Sequence, residues 1–214
     1  MDLRFIVIPA GRATLGWHFD DVLSVEAAHA INEFFGDSGD FDFRSELFSP
    51  CRKVDIETFA IADESYPWAK LIAESEGIKN LESLDLACAE IDRRLRETGL
   101  RLPSEDEFEF AIGGGMFAWG DEMPDGVPYE KATNFTGHKE RTQNGLLPNP
   151  NTYATELVTG YFKFGDGGVS VCGGEPWPMA WLSLSPAFRV QPELYEHCLV
   201  EYLEGTLIRP VRCA

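Results

Sequence analysis

Arg101-Leu102-Pro103-Ser104-Glu105-Asp106-Glu107-Phe108-Glu109-Phe110-Ala111, then Gly113-Gly114, then Ala118-Trp119-Gly120-Asp121-Glu122, is the stretch that orders the rest of the chain. Ser104 with Glu107 three residues on is a capping box. The serine hydroxyl accepts from a free first-turn N–H, and the glutamate reaches back to the serine N–H. The short helix so started buries Phe108 or Phe110. Periodicity stops at Gly113. Trp119-Gly120 then supplies an aromatic plug in a turn.

Upstream, helical signals are clear. Leu84, Cys88, Ile91 and Leu95 recur at i, i+4, i+7 and i+11, with Asp85, Asp92, Arg93 and Arg96 outside, and Gly99 follows as the left-handed stop. Ser65 with Pro67 predicts another helix start, because proline lacks an N–H that the first turn does not need. Its buried face is Trp68, Leu71, Ile72 and Ser75. Ser24 to Phe35 also reads as a helix, capped by Ser24 and stopped at Gly36. Strands are expected at Phe5–Ile8 and Ala13–Gly16, and across Val54, Ile56, Phe59 and Ile61, where apolar and polar residues alternate. Residues 113–178 are rich in Gly, Pro and Asn. So long an irregular stretch must be held by buried aromatics, hydrogen bonds or ions, or be functional. No repeat and no composition shift divides the chain, so one α+β domain over residues 1–214 is expected.

The composition sets outer bounds. The chain has 214 residues, 44% hydrophobic and 12% aromatic, which excludes a disordered or fibrous protein. Lys+Arg number 18 and Asp+Glu 36, a net charge of −18. Such a chain repels phosphate backbones, so no nucleic-acid partner is expected. No apolar run reaches the ~18–20 residues of a membrane helix, and no membrane partner is expected. The excess lies mostly in residues 1–107, with 23 acidic and 11 basic side chains. The five cysteines, Cys51, Cys88, Cys172, Cys198 and Cys213, show no zinc spacing and no disulfide framework. With an opening too short for a signal peptide, this predicts a cytoplasmic protein with reduced thiols.

The quoted stretch resembles the formylglycine-generating enzyme (sulfatase-modifying factor) family, which carries R-L-P-T-E-A-E-W-E-Y-A, a glycine pair and P-W-G-D-E. Other landmarks follow in order. Ile8-Pro9-Ala10-Gly11 through Leu15-Gly16 resembles the family's I-P-A-G…M-G. Val54, Ile56, Phe59 and Ile61 resemble its V-x-V-x-x-F-x-I. Ala87-Cys88 resembles its A-x-x-Y-C helix, and Asn134-Phe135 its A-N. Pro148 with Asn151-Thr152-Tyr153 resembles P-N-x-F-G-L-Y-D. Gly173-Gly174 resembles R-G-G-S, Ala187-Phe188-Arg189 resembles S-A-x-R, and Val211-Arg212-Cys213-Ala214 resembles G-F-R-C-A. The resemblance implies a C-type-lectin-like fold, in which little regular structure holds long loops. Residues 17–50 are a family-atypical insertion, either a lid or partner face or a helical cover for the core.

The departures decide the functional expectation. Oxidase members of the family hold copper(I) with two cysteines after the glycine pair, since soft thiolates suit that ion. Those places hold Pro178 and Ser183. One family calcium segment is matched by Gly160-Tyr161-Phe162-Lys163-Phe164, where the glutamate is gone and a lysine has entered, so that site is expected empty. Asn134, with Glu140 as a stand-in acid, is the remaining candidate for Ca²⁺; no other cofactor is expected. The four histidines, His18, His29, His138 and His197, show no ligand spacing. Cys198 beside His197 is weak evidence for a thiolate pair, because sequence neighbours on a strand face opposite ways.

In the family the surface between the G-G-S and G-F-R segments lines the ligand groove. Here it holds Trp177, Met179 and Trp181, with Glu175 and Glu193 near, and aromatics with a polar handle are typical hot spots. Trp181 reads more as core than as groove, and Trp177 reads equally as either. Arg189 and Arg212 read as structural. The expected function is a non-catalytic binding module for a peptide or protein partner, basic if charge selects it. The alternative is a metal-dependent (Fe or Cu) oxidoreductase with a re-tooled site.

Overall fold

A computed structural model describes residues 2–35, 43–72, 77–78, 81–123, 137–149, 154–164, 176–190 and 203–213. The architecture is mixed α+β. Strand β1 (Phe5–Ile8) comes first, and β2 (Gly11–Leu15) and β3 (Arg52–Ile56) enclose α1 (Val25–Phe35) and the short α2 (Phe43–Leu47) in sequence. After β4 (Phe59–Ala62) and β5 (Tyr66–Pro67) come α3 (Leu84–Glu97), β6 (Leu100–Arg101) and α4 (Glu105–Ile112). The remainder holds β7 (Glu156–Val158), β8 (Tyr161–Lys163), α5 (Trp177–Leu182), β9 (Leu207–Ile208) and β10 (Val211–Arg212).

Among the described residues these strands form three sheets. One runs β1-β4-β10-β6, all antiparallel, and joins the two ends of the chain. The second is the antiparallel pair of β2 and β3, matched from Gly11↔Ile56 to Leu15↔Arg52. The third runs β5-β9-β7-β8, with β7 and β9 parallel.

The helices form where the sequence signals lie. Ser83 Oγ caps α3 by accepting from Leu86 N, and Leu84, Ala87, Cys88, Ile91 and Leu95 are its buried stripe. Gly99 takes φ +78 beyond its end. Ser24 caps α1 through its hydroxyl, which accepts from Ala27 N at 3.1 Å. The helix start at Ser65–Pro67 is a correction, and Ser75 of its expected face lies outside the described residues. Tyr66 and Pro67 instead pair with Ile208 and Leu207, and only a single 3₁₀ turn, Trp68–Lys70, follows. Pro67 sits at ψ 123, which is extended, and Trp68 Nε1 donates to Leu203 O at 2.7 Å, fixing the segment to the far end of the chain.

Three apolar clusters fill the interior. The first gathers Trp17, Phe19, Ile31 and Phe48 with Met179, Trp181 and Phe188, so residues 17–35 and 43–50 pack over α5 as core. The second packs α3 against Trp68, Leu157, Phe162 and Ile208. The third joins Ile8, Ile61, Phe108, Ile112, Leu146 and Val211 under the first sheet.

Candidate functional site

Helix α4 serves three surroundings at once. The capping box is complete: Glu107 N donates to Ser104 Oγ at 3.1 Å and Ser104 N to Glu107 Oε2 at 2.8 Å. Phe108, Ala111 and Ile112 face the third apolar cluster. Glu105 and Glu109, one turn apart, face a buried ion cluster. Phe110 faces a cleft.

The ion cluster centres on Glu109, whose side chain is 2% exposed. Its carboxylate accepts from Ser49 Oγ at 2.6 Å, Gly16 N at 2.8 Å and Lys163 Nζ at 2.9 Å. Lys163, fully buried on β8, also donates to Glu105 at 2.9 Å. Arg52 lies 3.4 Å from Glu109 and Arg189 3.3 Å from Glu105. Burial works against charging Glu109, but Lys163, the Ser49 hydroxyl and Arg52 outweigh it and hold the carboxyl below its ordinary range. Burial opposes the charge on Arg52 as well, and Glu109 and Asp106 overcome it, raising that guanidinium further. Gly16 is required where it donates. Its φ is +80, and a Cβ there would stand 2.0 Å from Pro50 O.

The ring of α4 leads into the cleft. Gly113 ends the helix at φ +132, and Asn144 Nδ2 donates to the free Ala111 carbonyl at 2.9 Å. The turn beyond is closed by Phe117 N to Gly120 O at 2.8 Å and by Met116 N to Asp121 Oδ1 at 2.7 Å. Trp119 stacks on Phe117 with ring centroids 4.6 Å apart, so it is the plug its place in the turn predicts. Between this turn and the β1–β2 corner lies a cleft of about 450 Å³. Phe110, the Gly113–Gly115 backbone, Asp121, Gln143 and Asn144 line it, with Ile8, Leu15 and Phe117 almost wholly buried beneath. A narrower crevice beside it reaches Glu109 past His18, whose Nδ1 lies 2.7 Å from Gly16 O. A lining of mixed carbon and polar groups suits a peptide segment, which carries both.

None of the expected site residues that are described lines this cleft. Met179 and Trp181, at 1% and 0% exposure, are core, and burial that complete leaves neither side chain a face for a ligand. Trp177 is half-buried against the same cluster, with Trp119 and Met123. Glu175, Glu193 and Asn134 lie outside the described residues, as do Cys172, His197 and Cys198. Glu140 is exposed just after the 3₁₀ turn Gly137–Lys139. Among the described residues no three His, Cys, Asp or Glu side chains group closely enough to hold a metal ion. Pro178 and Ser183 are both buried in and beside α5, and the Ser183 hydroxyl donates to Ala180 O at 3.2 Å. Neither fits a copper(I) site, which needs thiolates. Around Lys163 the ammonium stands between Glu105 and Glu109, so the positive charge there is the protein's own. Arg189 is structural, over the Tyr161 ring at 4.6 Å, and Arg212 lies over Phe5 at 4.3 Å.

The cleft itself was missed by sequence reasoning. The signals were present: three glycines after a capped helix, and an Asn-Gly pair at Asn144-Gly145 able to turn back onto that helix's end. Among the described residues no helix is long and apolar enough to cross a membrane. Compared with models of known protein families the chain matches none, and no curated protein matches it.

Proposed function

We propose that the chain is a non-catalytic domain of the formylglycine-generating-enzyme-like, C-type-lectin-like type, and that it binds a peptide or protein segment in the cleft beside Gly113–Gly115. The cleft carries this reading: it is roomy, and its lining mixes the Phe110 ring with the glycine backbone and the polar groups of Asp121, Gln143 and Asn144, as a peptide's own mixture of carbon and amide groups requires. The groups that look reactive behind it support the reading too. Glu109 is already charged and engaged by Lys163, Ser49 and Gly16, so it is a poor proton acceptor. Proline and serine stand where the resemblance places the copper thiolates. The loop-borne stretch from Gly113 to Asn149 suits a fold in which little regular structure holds long loops; among its described residues it holds one 3₁₀ turn.

The test has two arms. The protein is purified without chelators and its metal content and oxygen uptake with cysteine-bearing peptides are measured. A peptide panel is then titrated against isotope-labelled protein. Shifts at Ile8, Leu15, Phe110 and Phe117 are expected, and Gly114→Leu is expected to abolish them. Gly114 has open space around it, so a leucine there enters the cleft without a backbone clash. Stoichiometric copper or iron with oxygen consumption overturns the reading, as do peptide shifts that avoid the cleft.

A further inference from the structure

Strand β1 is the outer strand of the first sheet. Its hydrogen-bond phase follows from two bonds. Asp63 N donates to Arg4 O at 3.0 Å, and Ala62 N donates to Pro210 O at 2.9 Å on the other side of β4. With the pairs Ile6↔Ile61 and Ile8↔Phe59, the backbone groups of Arg4, Ile6 and Ile8 therefore turn toward β4. Those of Phe5 and Val7 turn away from the sheet. Among the described residues neither has a backbone hydrogen-bond partner on that side. The strand reads Phe-Ile-Val-Ile, without charge or proline, and the Val7 side chain is 66% exposed. An apolar, unblocked edge of this kind is a template for another strand. Its far end, Ile8-Pro9, lies at the cleft.

We propose that the β1 edge receives an extended peptide with basic side chains as an added strand, whose end enters the cleft. This rests on the binding-domain reading and names the form and charge of the partner. Charge selects the occupant. The chain carries −18, and the exposed acids Asp2 and Glu57 lie at the two ends of the edge, while the cations there are already engaged, Arg4 with the buried Asp63 at 3.6 Å and Arg212 over the Phe5 ring at 4.3 Å. A second copy would bring another −18 to an edge four residues long. That patch is far below the ~1,200 Å² of a standard interface, so repulsion prevails for a copy and attraction for a cationic segment. Strand addition supplies affinity through main-chain bonds and selects alternate side chains.

The test uses the whole protein and an acetylated, amidated ten-residue peptide of alternating lysine and valine. In the free protein the amides of Phe5 and Val7 exchange with solvent quickly, and those of Ile6 and Ile8 slowly. The peptide is expected to slow Phe5 and Val7 exchange at least tenfold. Val7→Pro removes only an outward N–H, which an edge strand tolerates, and is expected to weaken binding at least tenfold, while Val7→Thr binds as the parent does. Should Val7→Pro fail to fold, a peptide N-methylated at every second residue decides: lost binding supports the proposal and retained binding overturns it. Equal binding of a glutamate–valine peptide overturns it, as does unchanged binding to Val7→Pro. A dimer in sedimentation that Val7→Pro dissolves also overturns it, in favour of a second copy. Binding lost in Gly114→Leu but kept in Val7→Pro defeats the edge and leaves the cleft reading standing.

Discussion

Among the described residues two ion clusters are buried, and they are built on opposite plans. Arg209 and Glu156 form a closed pair, both fully buried. The guanidinium donates to both carboxylate oxygens at 3.1 and 3.0 Å, and to the carbonyls of Ala62 and Leu147 at 3.3 and 2.8 Å. One side chain thus ties β4 of the first sheet, β7 of the third and the loop that turns toward the cleft. The Glu109 cluster is branched instead. It has three carboxylates on α4, Glu105, Asp106 and Glu109, and three cations, from β3, β8 and the 189 position, and it opens to the surface through Arg52 and Asp106. The closed pair has no substitute for either partner. The branched cluster has several, and it alone stands behind the cleft.

The difference is broken most sharply by Arg209→Met. It leaves Glu156 charged, fully buried and alone, which costs about 3–5 kcal/mol of stability in denaturant unfolding. Changing both partners, Arg209→Met with Glu156→Met, removes the stranded charge and is expected to recover part of that loss, since apolar replacement of a buried pair is often close to neutral. A single-variant cost under about 1 kcal/mol would show that water reaches the pair.

Lys163→Met is expected to cost less, about 2 kcal/mol, because Arg52, Ser49 and the Gly16 amide still hold Glu109. Its clearer signature is in pH. Glu109 has a folded pKa below its unfolded value. Its contribution to stability is therefore complete above the ordinary carboxylate pKa and is lost as pH falls through the lower folded value. Without Lys163 the folded pKa rises toward the unfolded value, so in the variant the acid loss begins at the same ordinary carboxylate pKa as in the parent but is smaller and is complete at a higher pH. Identical acid limbs in urea unfolding at pH 3–6 would assign the shift to Arg52 instead. Arg209→Met gives no such displacement through Glu109, which keeps the two clusters distinguishable.

How much of this was legible in the sequence follows the same division. Contacts within about four residues could be read. The capping box at Ser104 and Glu107, the α3 stripe and the Gly99 stop all lie on their predicted residues, because each is set by neighbours along one helix. The apolar run Phe5–Ile8 reads as a buried strand; the strand is there, but at a sheet edge with Val7 exposed, because a run of this kind does not tell an edge from an interior strand. The Ser65–Pro67 helix start failed because its competitor was distant: Leu207 and Ile208 claim the backbone of Tyr66 and Pro67 across the chain. The same distance hid the ion clusters. Lys163 read as a cation near a lost calcium segment, but its partners Glu105 and Glu109 stand 58 and 54 positions away. Trp181 read both as groove and as core, and only the packing of residues 17–35 over α5 decides it. The cleft escaped because its walls come from four segments, each of which is ordinary alone.

The smallest effect tests what holds α4 in place. Ser104→Ala removes the hydroxyl that accepts from Glu107 N, and N-cap losses of this kind cost about 1 kcal/mol. The box has a second arm that survives the change, since Glu107 still accepts from Ser104 N, and Arg101 still grips Glu107 at 2.7 and 2.6 Å. The cost should therefore stay at about 1 kcal/mol or below, and the cleft shifts caused by a bound peptide should be unchanged. The informative measurement is the double variant with Lys163→Met. If the cap and the ion cluster anchor α4 independently, the two losses add to within about 0.5 kcal/mol. If they act as one unit, the second loss differs from its value in the parent by more than that. Coupling would mean that the helix end loosens once Lys163 no longer pins Glu105, the residue directly after the cap, and that the cleft's back wall depends on both.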